Sequence, residues 1–139
     1  MSSAPLLRFL LDTNIVIYVI KRRPLAVLDT FNRNHGRMAI SSITFAELLH
    51  GVEKSSDPAR NFRVVQDFTS RLNILPYEEN AAAHYGQIRA TLERNGQTIG
   101  VNDLHIAGHA RSRGLTLVSN NEREFRRVEG LCIENWIAS

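Results

Sequence analysis

Short apolar runs alternate along this chain with stretches whose apolar residues recur at helical spacing. Residues 6–11 form the first run, ended by Asp12-Thr13-Asn14, which predicts a strand buried on both faces followed by a helix cap. A short helix is expected over 15–20, and Pro24 opens a second to about residue 31. A brief strand at 38–40 runs into Ser41-Ser42-Ile43-Thr44, which launches a helix to about residue 54. Pro58 starts the next helix, with Phe62, Val65, Phe68 and Leu72 on one stripe. A third strand follows at 73–76 and a long helix from about 79 to 94, stopped by Asn95-Gly96. Asn102 suits the cap of a helix over about 103–112 that ends at Gly114. The fourth strand is 115–118, Ser119-Asn120-Asn121 leads into a short helix through 125, and 131–133 is a weaker last strand. Connections that carry helices make parallel rather than hairpin pairing, so the expected product is an α/β fold with a parallel sheet covered on both faces.

In open α/β sheets ligands bind beyond the carboxyl ends of the strands. The residues there are polar: Asp12-Thr13-Asn14 after the first strand, Ser41 to Thr44 with Glu47 one turn on after the second, and Ser119-Asn120-Asn121 with Glu124 one turn on after the fourth. Asp103 opens the helix before that fourth strand. Four carboxylates thus share one crevice. Their mutual repulsion keeps some of them protonated at neutral pH unless a cation offsets it. Magnesium, which takes oxygen ligands and works through one or two carboxylates plus substrate phosphates, suits such a site, and manganese suits it nearly as well. Such an ion supports in-line phosphodiester displacement.

Each acid also has a plainer reading. Asp12 suits a helix N-cap, Thr44-Phe45-Ala46-Glu47 matches a capping box, Asp103 complements a helix dipole, and Glu124 could be a surface acid beside Arg127. His105 and His109 have a spacing that can bind zinc, but Ile106 stands where the zincin pattern needs glutamate. Trp136 reads as a packing residue. No glycine-rich phosphate loop follows the first strand, no nucleophile elbow is present, and Asn14 replaces the second aspartate of a haloacid-dehalogenase-like phosphatase.

The chain has 139 residues, 43% of them hydrophobic and 22% charged, which fits one domain spanning 1–139 without a linker. The lone Cys132 cannot form an intrachain disulfide, which favours a reducing cytoplasm, and no run approaches the roughly 18 apolar residues of a membrane span. Net charge is +3, and of 17 basic residues only Lys21 and Lys54 are lysines. Arginine's planar fork suits phosphate and stacks on bases, so nucleic acid or an acidic protein is the expected partner. Lys21-Arg22-Arg23, with Arg123, Arg126 and Arg127, is a candidate path for a nucleic-acid backbone, although a solvated face explains the same residues.

Four ordered motifs, Leu11-Asp12-Thr13-Asn14, Ser41-Ser42-Ile43-Thr44-Phe45-Ala46-Glu47-Leu48, Asn102-Asp103-Leu104-His105-Ile106-Ala107 and Val118-Ser119-Asn120-Asn121-Glu122-Arg123-Glu124-Phe125, together resemble the PIN-domain toxins called VapC. The resemblance spans about residues 7–136. It implies a PIN fold, with a central parallel sheet of about five strands flanked by helices, and a magnesium-dependent endoribonuclease. Asp12, Glu47 and Asp103 match the family's three core acids as metal ligands. The fourth acid of many PIN domains falls near Asn121, so the resemblance leaves that role to Asn121 or Glu124, while Thr13, Asn14, Thr44 and Asn120 support the site. It further implies a toxin of a type II pair that cuts structured RNA, often tRNA, to stop translation. A VapB-like antitoxin would block the crevice with a basic side chain, homodimers would assemble further with it, and promoter DNA would be bound only through it. The amide at Asn121 keeps a second reading open, a catalytically weak PIN-fold protein that binds RNA or a partner.

Overall fold

The computed structural model describes residues 6–137. Five strands are described: β1 (Phe9–Leu11), β2 (Met38–Ser41), β3 (Asn73–Leu75), β4 (Thr116–Val118) and β5 (Ile133–Glu134). The helices among the described residues are α1 (Thr13–Lys21), α2 (Leu25–Arg33), α3 (Ser42–Glu53), α4 (Pro58–Thr69), α5 (Glu79–Arg94), α6 (Val101–Ser112) and α7 (Glu122–Phe125). All strand pairs are parallel, in the order β3-β2-β1-β4-β5. The chain therefore leaves β1 toward β2 and β3 on one side and returns to β4 and β5 on the other. That reversal beside β1 is the topological switch point where such sheets place their ligands.

Side chains alternate across a strand, and here the alternation sorts the apolar residues into two cores. Phe9 and Leu11 of β1, Met38 and Ile40 of β2 and Val118 of β4 face a core completed by α1 to α4, with Val16, Val27, Phe31, Leu48, Val65 and Phe68. Leu10, Ala39 and Leu117 face the opposite core with Ile88, Leu92, Leu104, Ile106 and Phe125 from α5 to α7. With both faces covered, the strands read as continuous apolar runs, and polar groups are left to the strand ends. Trp136 is buried against Phe9, their rings edge-on at 5.2 Å, and its Nε1 donates to Glu134 Oε1 at 2.8 Å.

Several boundaries differ from the sequence expectation. The first strand begins at Phe9 because Leu6 stands 88% exposed, and the last is Ile133–Glu134, paired with β4 through Leu117 and Val118. α6 starts at Val101 with Gly100 at its N-cap, so Asn102 is inside the helix and does not cap it. α3 is capped by Ser41, whose Oγ accepts from the Ile43 amide at 3.0 Å; Thr44 is already within the helix, and the Thr44-Glu47 capping box does not form. Phe62 falls on the outer side of α4, while Val65 and Phe68 carry the core stripe.

α5 and α6 approach tightly at Gly108, where an added Cβ would come 2.9 Å from the Tyr85 backbone nitrogen and 3.1 Å from the Ala81 carbonyl oxygen. At Gly86, on α5, nothing lies within 4 Å. Opposite outcomes follow for one chemical change. Gly108→Ala should destabilise the protein by about 1–3 kcal/mol, the overpacking cost exceeding the gain in helix propensity. Gly86→Ala should stabilise it by roughly 0.5–1 kcal/mol. Equilibrium urea unfolding of the two variants checks both signs.

Candidate active site

Asp12 ends the central strand and is the N-cap of α1, with only 4% of its surface exposed. Its Oδ1 accepts from the Asn14 amide at 2.7 Å, and its Oδ2 accepts from Ser119 Oγ at 2.5 Å. Ser119 follows β4 directly and is fully buried; its Oγ also accepts from the Asn121 amide at 2.9 Å. Burial pushes the Asp12 carboxyl above the usual carboxylate range, the Ser119 and Asn14 hydrogen bonds pull it back, and Glu47 adds repulsion. The capping reading of Asp12 is thus correct as geometry, but a cap needs only one oxygen, and the second is committed to Ser119.

Glu47 projects from α3 toward α1, where Thr13 Oγ1 donates to its Oε1 at 2.8 Å and lies 3.2 Å from Thr44 Oγ1. This contact across the sheet edge takes the place of the capping box. Asp103 lies in the first turn of α6, and its carboxyl is raised to about 6 by burial first, then by repulsion from Asp12, Glu124 and Glu47. Asp103 thus lies in the field of the other three acids singled out in the sequence. Among the described residues no group of three or more Asp, Glu, His or Cys side chains closes into a ready-made metal cage. The acids share a field rather than a single ligand point.

The supporting residues divide. Thr13, Thr44 and the Asn14 backbone take part in the hydrogen bonds just given. Asn120 reaches only the Tyr18 hydroxyl, at 3.5 Å, and Asn121 sits at the N-cap position of α7 without a side-chain cap bond. Glu124 is partly exposed and does not pair with Arg127, which donates to the Thr98 carbonyl at 3.0 Å; Arg126 pairs with Glu122 instead. Ser119 is the residue that sequence reasoning named only as part of a loop. Its position after a buried strand, opposite the end of β1, was the available signal.

The histidines four apart on α6 do not converge on a common point. His105 Nδ1 is 2.8 Å from the Tyr77 hydroxyl and its ring stacks on Tyr85 at 4.1 Å, while His109 Nδ1 is 2.8 Å from Ser41 Oγ. A cavity of about 580 Å³ lies between α1, α2 and α4; Arg22, Arg60, Arg63, Arg71, Val64 and Phe68 are among its lining residues, and none of the four acids is. Volume alone does not locate the chemistry here. The convergence of perturbed carboxylates is the more specific signal.

Residues 9–131 match the family model described as PIN domain. The chain is 61% identical to "Ribonuclease VapC2" of Haemophilus influenzae over 95% of its own length and 100% of that protein. It is 54% identical to "tRNA(fMet)-specific endonuclease VapC" of Shigella flexneri, over 94% of the chain and 99% of the relative. Among solved structures, DNA-bound VapBC from Salmonella typhimurium superposes with a TM-score of 0.90 at 54% identity, covering 94% of this chain and 98% of that one.

The electrostatics of Asp103 make a stability prediction for protein held in a chelator. An acid whose folded value lies near 6, above its unfolded value near 3.8, favours the folded state below pH 4 and loses that contribution as pH rises through 6. Asp103→Asn should therefore stabilise the metal-free protein at pH 7.5. The expected gain is about 1–2 kcal/mol once solvent screening of this partly exposed carboxylate is allowed for. It should shrink toward zero by pH 4. Thermal denaturation of both proteins across that range reads the difference directly.

Proposed function

Since the chain belongs to the PIN-domain family, and within it to the VapC ribonucleases, we propose that it cuts tRNA at the acidic edge built on Asp12, Glu47 and Asp103. The observation that carries this reading is the gathering of acids at Asp103, whose carboxyl is raised first by burial and further by repulsion from Asp12, Glu124 and Glu47. Such repulsion is the mark of a site that a cation completes. The donors are all oxygens, which suits Mg2+, with Mn2+ as a substitute. Magnesium keeps several waters and needs only one or two carboxylates, so no closed cage is required. When bound, the ion supplies positive charge against the phosphodiester and its leaving oxygen and lowers the pKa of water.

The chain's own residues then have distinct tasks. Asp12 and Asp103 hold the ion, with Glu47 completing the set. Ser119 and the Asn14 amide fix the Asp12 carboxylate in one rotamer and favour its charged form. Thr13 orients Glu47 from across the crevice. Glu124 supplies the fourth negative charge, since Asn121 carries none and its backbone is already bonded to Ser119. The arginine-rich surface, including Arg22 and Arg23 at the end of α1, guides the RNA backbone toward these acids.

Initiator tRNA is the substrate that a close relative's name supports, since "tRNA(fMet)-specific endonuclease VapC" shares 54% identity with this chain. An antitoxin of the VapB kind is the expected inhibitor, consistent with the DNA-bound VapBC complex whose toxin fold this chain shares. It would present a basic side chain to the acids and carry any promoter DNA contact. A homodimer, a larger assembly with the antitoxin and a cytoplasmic setting complete the reading. Among the described residues no helix is long and apolar enough to cross a membrane.

Two measurements test this. Antitoxin-free protein should cleave initiator tRNA with Mg2+, stop on chelation, and lose at least ~100-fold of its rate in Asp12→Asn while staying folded. Full cleavage by that variant would overturn the assignment. Ser119→Ala should lower kcat by about 10-fold or more and move the acid limb of the pH–rate profile upward, because the lost hydrogen bond had favoured ionised Asp12. An unmoved acid limb would remove Ser119 from the account.

A further inference from the structure

His109 is a titratable side chain with 1% exposure that the reaction as described does not use. It lies on α6 among Ile106, Ala107 and Ala110, all of them buried and apolar. A polar ring in such a place needs a partner, and its partner is Ser41, itself fully buried at the end of β2. The Ser41 hydroxyl already accepts from the Ile43 amide as the cap of α3, and it pairs as well with Nδ1 of His109 at 2.8 Å. Tyr77 holds the ring from a second side, edge-on at 5.5 Å, while its amide donates to Ser42 Oγ at 3.0 Å. The first turn of α3 is thus tied to α6 by one buried hydrogen bond and one aromatic clamp. Burial, with Arg113 nearby, lowers the His109 pKa below its usual value, which disfavours a charged ring in this contact.

The two helices joined in this way carry two of the acids. Glu47 follows Ser41 by six residues on α3, and Asp103 precedes His109 by six on α6. At 1.5 Å of rise per residue each acid is only ~9 Å along its helix from the bond. We propose that His109 is a positioning residue: its bond to Ser41 fixes α3 against α6 and so sets the spacing of Glu47 and Asp103. The proposal rests on the reading of those acids as the metal-holding site. Displacements of about 1 Å in such a site can cost about 100-fold in rate, so a link of this kind is felt in catalysis well before it is felt in folding.

The test compares three substitutions in the full chain, freed of antitoxin, with initiator tRNA transcript as substrate. Asparagine places an amide atom near the position of Nδ1, glutamine places it near Nε2, and leucine fills the volume without a polar atom. His109→Asn should keep kcat within ~3-fold of the parent, whereas His109→Gln and His109→Leu should lose ~10- to 100-fold, with KM for the tRNA little changed. The rise in Tm on adding Mg2+ should follow the same order, which gives a readout independent of cleavage. Parent-like kcat and Mg2+-induced Tm shift in His109→Gln would overturn the proposal, as would equal impairment of the Asn and Gln variants when both are folded. If the leucine variant does not fold, the Asn and Gln pair decides alone. Asp12→Asn, assayed alongside, separates the two claims: cleavage at the parent rate there defeats the acid-site reading and the proposal built on it. Loss there together with parent-like His109→Gln defeats only the role of His109.

Discussion

A carboxylate that is almost wholly buried at the end of a central strand must be compensated, and the local architecture around Asp12 is that compensation. Its two oxygens are divided between elements that follow different strands: the Asn14 amide at the start of α1 and the Ser119 hydroxyl beyond β4. The Ser119 bond exists only because β1 and β4 lie side by side in register, Leu11 against Val118. The backbone of Asp12 is held by the same neighbour, its amide donating to the Val118 carbonyl at 3.0 Å. Desolvation opposes the charge and hydrogen bonds favour it, and that balance leaves Asp12 dependent on whatever sits in the crevice.

The sheet explains why such a group is found at its edge. Both faces are covered, so Leu10, Leu11, Met38, Ile40, Leu117 and Val118 leave no room for polar atoms between the helix layers. Polar chemistry is confined to the positions just past each strand, and the reversal of strand order beside β1 opens space there. Burying and concentrating acids in that space works against folding, as the Asp103 carboxyl, raised first by burial and then by its acidic neighbours, indicates. Sites of this kind commonly trade stability for function. The two well-packed cores on either side supply the apolar burial against which that cost is set.

Close helix packing gives the acids their common frame. Gly108 brings α6 against the backbone of α5, and His109, the next residue, reaches Ser41 at the start of α3. Tyr77, at the exit from β3, packs against both His105 and His109. Thr13 then spans from α1 to Glu47 on α3. The crevice is thus bounded by helices cross-linked through short, buried or part-buried polar contacts, a stiffer arrangement than a set of acids on independent loops.

The sequence by itself determined the alternation of strands and helices, the parallel sheet that this alternation requires, and the presence of Asp12, Glu47, Asp103 and Glu124 just past strands or at helix starts. These are local properties, set by apolar periodicity, by glycine and proline punctuation and by the side-chain direction of strand and helix. The tertiary structure decided what lies far apart in sequence. It gave Asp12 its hydrogen bond from Ser119, 107 residues away, turned Glu47 from a capping box toward Thr13, and separated His105 from His109 by giving each a different partner. Hydrogen bonds of this kind depend on strand order and helix approach, which no local pattern encodes. For the same reason the caps of α3 and α6 moved to Ser41 and Gly100: a helix begins where packing against the sheet allows it, and several adjacent residues were chemically able to start it.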